Sequence, residues 1–317
     1  MSPAGTQFKN SLSIVILTHN SSTLIRDCLE SAKWASEIVV LDDCSTDDTV
    51  KIAQSYTDKV LIRKWDIEGI HRNFAYSQVN SDYILSLDSD ERITPELRDE
   101  ILGMMKEGFK FNCYNIPHRN YFGDKWLRFG GWYPNAKLKM YKKILPIYEE
   151  TEPHPRALIP GERYTLKNDI LHLAYKNTEQ LIAKLNYQTT MEARKWVNDK
   201  RKVTGFNSFR KAIDRFFRAY LFKSGYRDGF AGFLCALSGG LYQILTHAKY
   251  QEISKIGQLN HKKEGELVKK LTAVGLLLAV FSLAGCAQKS DSEKMMDSFK
   301  KDSNKAMDSM KKEVNKL

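Results

Sequence analysis

The run Tyr83-Ile84-Leu85-Ser86-Leu87-Asp88-Ser89-Asp90-Glu91-Arg92 limits the possible folds more than any other stretch of this chain. Ile84, Leu85 and Leu87 suit a buried strand. Asp88, Asp90 and Glu91 are groups that an apolar interior rejects unless they are paired. The acids therefore belong where a strand leaves its sheet, and in open α/β sheets ligands bind along that carboxyl edge. Asp88 and Asp90, two residues apart, form an oxygen set suited to one hard divalent cation, which in turn could neutralise a diphosphate. The plainer alternative is a solvated acidic turn before a helix, and Thr94-Pro95-Glu96 has the composition of a helix start.

The same pattern recurs upstream. Leu12 to Leu17 reads as a buried strand ending at Thr18-His19-Asn20. Ser21 or Ser22 is then placed to cap a helix with Leu24, Ile25, Cys28, Leu29 and Ala32 on one face. Glu37 to Leu41 reads as a second strand, ending at Asp42-Asp43-Cys44-Ser45. Thr46 is expected to open the next helix, with Asp47 and Asp48 in its positive first turn. Lys59 to Trp65 reads as a third strand, residues 69–79 as a turn and helix, and Thr94 to Glu107 as an amphipathic helix. Such alternation predicts an α/β fold with a mostly parallel sheet, helices on both faces and right-handed crossovers. Three strand ends then carry polar groups: Thr18 with Asn20, Asp42 with Asp43, and Asp88 with Asp90. The chain contains neither a GxGxxG nor a Walker A loop, which disfavours a dinucleotide cofactor and P-loop phosphate binding.

Between Asn112 and Lys143 short β-like runs (Cys113 to Ile116, Leu138 to Tyr141) flank turns rich in glycine and aromatic residues, among them Trp126, Phe129, Gly130, Gly131, Trp132, Tyr133 and Pro134. Flat aromatic faces beside polar groups suit sugar rings, and loops over such sheets commonly carry specificity. Glu149, Glu150, Glu152 and His154 follow, then Asp169-Ile170-Leu171-His172. A carboxylate within reach of an acceptor hydroxyl can act as general base.

The motifs Thr18-His19-Asn20, Asp42-Asp43-Cys44-Ser45-Thr46-Asp47, Arg72-Asn73 and Leu87-Asp88-Ser89-Asp90-Glu91, in this order and spacing, resemble those of family-2 glycosyltransferases of the GT-A fold. Gly130-Gly131-Trp132-Tyr133-Pro134, His154-Pro155-Arg156 and Leu171-His172-Leu173-Ala174-Tyr175 are similar to marks of the branch that glucosylates the lipopolysaccharide core. The resemblance implies an inverting, single-displacement transfer of a hexose from a nucleotide-diphosphate sugar, UDP-glucose foremost, to a lipopolysaccharide-core or lipid-linked acceptor. A related acceptor would be another envelope or exopolysaccharide glycan, and a reading of another class is a non-catalytic sugar-nucleotide or membrane-binding module. By resemblance, Thr18, Asn20, Asp42, Asp43, Arg72, Asn73 and Asp88 bind the donor, and Asp88 and Asp90 hold Mg2+ or Mn2+. Trp132, Tyr133, His154, Arg156 and His172 face the acceptor. Ser21 stands where the family often has glutamate, and Pro155 where a glutamate near the acceptor is common. Glu152 and Glu150 are then the candidates for the base beside Asp90. The QxxRW motif of processive synthases is absent, which favours single addition.

The remaining sequence divides at about residue 177. Residues 178–260 read as basic amphipathic helices. Arginines and lysines run from Arg194 to Arg227 with only Asp199 and Asp214 opposing them, while Phe206, Phe209, Ile213, Phe216, Phe217, Tyr220 and Leu221 recur at helical spacing. With a net charge of +11, this pattern fits an interfacial helix on the anionic inner membrane better than a nucleic-acid surface, because the aromatic residues share one face instead of interleaving as stacking platforms. Gly229 to Ala248 is apolar but interrupted by glycine and polar residues, so dipping into the bilayer or a packed hairpin is expected before a full span. The polar start and five scattered cysteines without a CxxC pair suit a reducing, cytoplasmic setting. Residues 261–317 differ again. Lys269-Lys270, the uncharged run to Leu283 and Leu283-Ala284-Gly285-Cys286 resemble a bacterial lipoprotein signal with its lipobox, followed by a polar helix with Met296, Phe299, Ser303, Ala306 and Met310 at heptad spacing. A separate lipoprotein joined in frame from about Val268 is expected, with a C-terminal anchor as the alternative.

Overall fold

The computed structural model describes residues 8–144, 147–151 and 155–284, with side chains as far as 256. It opens as the alternation predicts: β1 (Leu12–Thr18), α1 (Ile25–Ala32), β2 (Glu37–Asp42), α2 (Thr49–Gln54), β3 (Val60–Ile62), α3 (Glu68–Ser77) and β4 (Tyr83–Asp88). β5 (Glu91–Ile93) and α4 (Pro95–Glu107) follow. Next come β6 (Cys113–Ile116), β7 (His118–Phe122), β8 (Lys125–Trp126), β9 (Lys137–Lys142), β10 (Arg163–Thr165) and β11 (Ile170–Tyr175).

A seven-stranded sheet has the order β10-β6-β9-β4-β1-β2-β3, with β4, β1, β2 and β3 parallel and β9 antiparallel to both neighbours. Alternate residues of β1 serve opposite faces. Leu12, Ile14 and Ile16 pack with α1 residues Ile25, Cys28 and Leu29, whereas Val15 and Leu17 pack with Val39, Leu41 and Tyr76. Both faces are thus covered, as a parallel sheet requires. Strand order runs outward from β1 to β3 on one side and continues with β4 on the other, so the chain reverses direction between β1 and β4. That is the switch point where ligands bind in such sheets. A second sheet, β5-β11-β7-β8, lies beyond it. The two-residue link Ser89-Asp90 therefore carries the chain from the first sheet to the second.

Local details refine the sequence reading. Neither Ser21 nor Ser22 caps α1. Leu24 takes the cap position, while the Ser21 hydroxyl donates to the His19 carbonyl and accepts from Ser89. Thr46 does not open α2, which begins at Thr49, because Asp47 accepts from the backbone amides of Ser22 and Thr49 and ties the two loops together. β3 stops short of Trp65, whose amide is captured by Asp43 Oδ1 at 2.6 Å. The Thr94 cap is as expected: its hydroxyl accepts from Leu97 N at 3.1 Å, with Pro95 in the first turn.

Three helices follow among the described residues: α5 (Thr178–Asn198), α6 (Gly205–Phe217) and α7 (Gly229–Ala284). A π-helical turn (Arg218–Phe222) and a 3-10 turn (Gly225–Asp228) join α6 to α7. Asn177 and Thr204 cap α5 and α6 with their side chains. Among the described residues, Gly225–Ile256 is long and apolar enough to cross a membrane by length and composition. The chain divides into two compact units, Met1–Ile253 and Ser254–Leu317. Cys286 and the heptad positions of the tail lie outside the described residues.

Candidate active site

The three polar strand ends meet. Thr18 is in register with Asp42 on one side, and Leu17 with Asp88 on the other. On the β2 side, the buried Asp42 carboxylate accepts from Ser45 N at 2.7 Å and Ser45 Oγ at 2.5 Å, so it shapes the turn and has little capacity left for a ligand. Asp43 keeps Oδ2 3.7 Å from His19 Nδ1. Asn20, in a left-handed conformation that asparagine tolerates, accepts from Thr46 N at 2.8 Å. The Thr18 hydroxyl is buried with no protein hydrogen-bond partner. Buried polar atoms are nearly always partnered, so an orphan beside the switch point is where a ligand group fits.

On the β4 side the acids part company. Glu91 is fully buried, 2.6 Å from Lys139 Nζ and 3.1 Å from His118 Nε2, and it accepts from the Asp88 amide. Lys139 also lies 3.0 Å from Asp88 Oδ2, while Arg72 faces Asp88 Oδ1 at 3.7 Å. Burial opposes ionisation of Glu91 and Asp88, but Lys139 together with His118 at Glu91 and Arg72 at Asp88 outweighs it and holds both carboxyls below their ordinary range. Burial alone would lower Lys139, yet the two carboxylates raise it. The network is a charged unit built into the sheet edge. β9 supplies its lysine because it runs antiparallel to β4.

Asp90 has other partners. Its Oδ2 lies 3.7 Å from His172 Nε2 and 3.5 Å from Lys184 Nζ. Asp88 and Asp90, expected to share one cation, have different protein partners: Asp88 lies against Lys139 of β9, and Asp90 against β11 and α5. Nor is His172 simply an acceptor residue. Asn120 Nδ2 donates to the Trp132 carbonyl at 2.7 Å and the His118 carbonyl at 3.2 Å, which fixes its amide orientation. Asn120 Oδ1 must then accept from His172 Nδ1, 2.7 Å away. With Nδ1 donating to Asn120, the ring turns Nε2 towards a carboxylate oxygen, and in its neutral form that nitrogen offers a lone pair. Two lone pairs facing each other across 3.7 Å suit an intervening cation, and a backing hydrogen bond on Nδ1 is the usual support for a metal-binding histidine. Among the described residues no group of three or more His, Cys, Asp or Glu assembles, so a cation here would take its remaining ligands from substrate phosphates and water.

The other expected residues fall as follows. Asn73 accepts from the amides of Ile147 and Tyr148, both at 3.0 Å, and donates to the Tyr148 carbonyl at 2.8 Å. It clamps the following loop onto α3, next to Arg72, and its amide is spent on that task. Gly69 belongs to the same clamp, since a Cβ there would stand 1.8 Å from the Glu149 carbonyl oxygen. Glu150, on this loop, is exposed, and Arg156 is exposed beside Glu149 at 3.8 Å. Glu152 and His154 lie outside the described residues. Tyr133 donates to Asp169 at 3.2 Å, and Trp132 packs edge-on to Tyr175 with ring centroids 5.9 Å apart. Sequence reasoning missed Lys139, Lys184, Asn120 and His118. The available signal for the first was Lys137 and Lys139 alternating within an otherwise apolar strand, where a buried lysine requires an acid.

The chain has relatives among known proteins. The Glycosyl transferase family 2 model matches residues 13–158. An uncharacterized glycosyltransferase of Rickettsia felis is 28% identical over 257 residues, 76% of this chain and 89% of that protein. The lipopolysaccharide core biosynthesis glycosyltransferase LpsC of Rhizobium meliloti is 24% identical over 251 residues, 75% of this chain and 91% of that protein. Among solved structures, Staphylococcus aureus TarS aligns with a TM-score of 0.38 at 17% identity, covering 68% of this chain and 45% of that one. The chain is a glycosyltransferase, and the strand ends at Thr18, Asp42 and Asp88 fall within the stretch that the family-2 model matches.

Proposed function

We propose that this enzyme moves a hexose, glucose foremost, from a UDP-sugar to a lipopolysaccharide-core or lipid-linked acceptor with inversion, at the surface of the anionic inner membrane. The observation that carries the reading is Asp90 Oδ2 standing 3.7 Å from His172 Nε2 at the switch-point edge of the sheet. A mixed carboxylate and imidazole set accepts Mn2+ more readily than Mg2+. Bound there, the cation would neutralise the leaving diphosphate, whose charge grows as the glycosidic bond breaks. The protein's own groups do the rest. Asp43, Thr18 and the Asn20 loop line the nucleoside side, and Arg72 stands beside Asp88 within reach of the same edge. Glu150 is the base candidate on the clamped loop, with Glu152 beyond it. Similarity to LpsC supports this acceptor class.

The membrane setting rests on α6. Its small residues Ser208 and Ala212 are buried, whereas Phe206 is 76% exposed and Phe209, Ile213 and Phe217 are also exposed. Phe222 and Phe230 continue the exposed set. A helix that packs its small face and shows its phenylalanines, with arginines and lysines around them, matches an interfacial element. A donor screen on the full chain with Mn2+ and core-lipid acceptors tests the whole reading. UDP-glucose should support transfer and be hydrolysed slowly without acceptor. Failure to bind any UDP-sugar would sink it.

A further inference from the structure

We infer that the cavity beneath Trp132 is a subsite for an anionic group, phosphate or carboxylate, carried by the acceptor. This rests on the transferase reading above and specifies its substrate. Two adjoining cavities, about 460 and 200 Å³, share Trp132, Arg215, Cys235 and Gly239 in their walls. The larger is also lined by Arg218, Asp214 and Lys223. Arg218 and Asp214 neutralise each other at 2.7 Å. Arg215 and Lys223 have no carboxylate partner among the described residues. Arg215 has only the Tyr242 ring, 5.7 Å from its guanidinium carbon. Lys223 lies over Gly131, where a Cβ would stand 3.0 Å from its ammonium nitrogen, and the φ of +85° at Gly131 is one that glycine alone adopts without strain. The glycine thus leaves room for the ammonium on the cavity wall.

A neutral sugar needs no such cations. A phosphate or carboxylate does, and a planar guanidinium beside a mobile ammonium is a common way to hold one. The cavity is also wired to the reaction centre. The Trp132 carbonyl accepts from Asn120, and Asn120 orients His172 against Asp90. An acceptor anchored by its charge under Trp132 would rest its sugar against the indole on the side that leads to His172. A lipid headgroup offers the same chemistry, but the exposed phenylalanines of α6, not the walls beneath Trp132, form the surface suited to lipid.

Isothermal titration of the full chain tests the inference. UDP is titrated first with Mn2+ present, then glucose 6-phosphate or glucose is added to the UDP-saturated protein. Glucose 6-phosphate should bind at least tenfold more tightly than glucose. The R215Q/K223Q variant should lose that preference while keeping its UDP affinity and unfolding midpoint. Equal affinity for the two sugars in the unaltered protein overturns the inference, as does a preference that survives R215Q/K223Q. If the variant loses binding to phosphatidylglycerol vesicles but keeps the phosphosugar preference, the two cations serve the membrane and the inference fails. Absence of UDP binding breaks the transferase reading itself, whereas UDP binding without phosphosugar preference breaks this inference alone.

Discussion

Lys139 and Arg215 are both cations beside the aromatic and acidic centre of this enzyme, yet they are held in opposite ways. Lys139 is buried, shared between Asp88 and Glu91, and part of the sheet edge. Arg215 is exposed, lines a cavity and has no carboxylate of its own. The first arrangement fixes charge before any ligand arrives, so that Asp88, Arg72 and the link to β5 keep one geometry. The second leaves charge for something that comes from outside. Charges that build the sheet edge are satisfied internally, while on the helical side Arg215 and Lys223 line a cavity without a carboxylate partner among the described residues.

The contrast can be broken most sharply at Lys139. Lys139→Met leaves the buried Glu91 carboxylate with only His118 and the Asp88 amide, and losing the ammonium of such a pair typically costs about 3–5 kcal/mol. Chemical denaturation should show that loss, and the double variant E91Q/K139M should recover much of it. A cost below about 1 kcal/mol would mean that water reaches Glu91 and that the network is not structural. Next in size is Asn73→Ala, which unties the amides of Ile147 and Tyr148 from α3. A destabilisation of about 1–3 kcal/mol is expected, with faster hydrogen exchange at those two amides. Unchanged exchange would return Asn73 to the donor.

On the helical side, F206S/F209S/F222S should lower partition onto phosphatidylglycerol vesicles by tenfold or more with the unfolding midpoint unmoved, because these rings pack against little in the protein. A fall in midpoint instead would make them core residues. The smallest effect belongs to Glu37 at the far end of β2. Burial raises its pKa, but its contacts with Lys59 and Ser13 prevail and lower it. A carboxyl depressed in the folded state stabilises above its unfolded pKa, and that contribution disappears as pH falls through the folded value. The stability gap between wild type and Glu37→Gln, about 1 kcal/mol at neutral pH for such a partly exposed pair, should therefore close on acidification below the ordinary glutamate range.

Much of this was readable in the sequence because period and punctuation are local. Apolar runs ending at Thr18, Asp42 and Asp88 announced strands, and the structure puts those ends in adjacent register. The partition among the acids was not readable, because it depends on residues far along the chain. Asp88 takes its lysine from β9, and Asp90 its histidine from β11. Only the antiparallel entry of β9 and the crossing into the second sheet bring them there. Asn73 misled for a related reason: its neighbour Arg72 faces the site, while Asn73 itself turns to a loop more than seventy residues on. The aromatic face of α6 was legible as a pattern, but its exposure could not be read from spacing, which describes a buried stripe equally well.

In the function proposed above, Asp90 and His172, and not the Asp88–Lys139–Glu91 network, hold the divalent cation together with the diphosphate. Mn2+ binding followed by electron paramagnetic resonance, with and without UDP, tests it directly. Wild type should bind Mn2+ weakly alone and at least tenfold more tightly with UDP, since two protein ligands leave the rest to phosphate oxygens. D90N and H172A should abolish that tightening. D88N should retain it. Full UDP-linked Mn2+ binding by D90N, or its loss in D88N alone, would contradict the account.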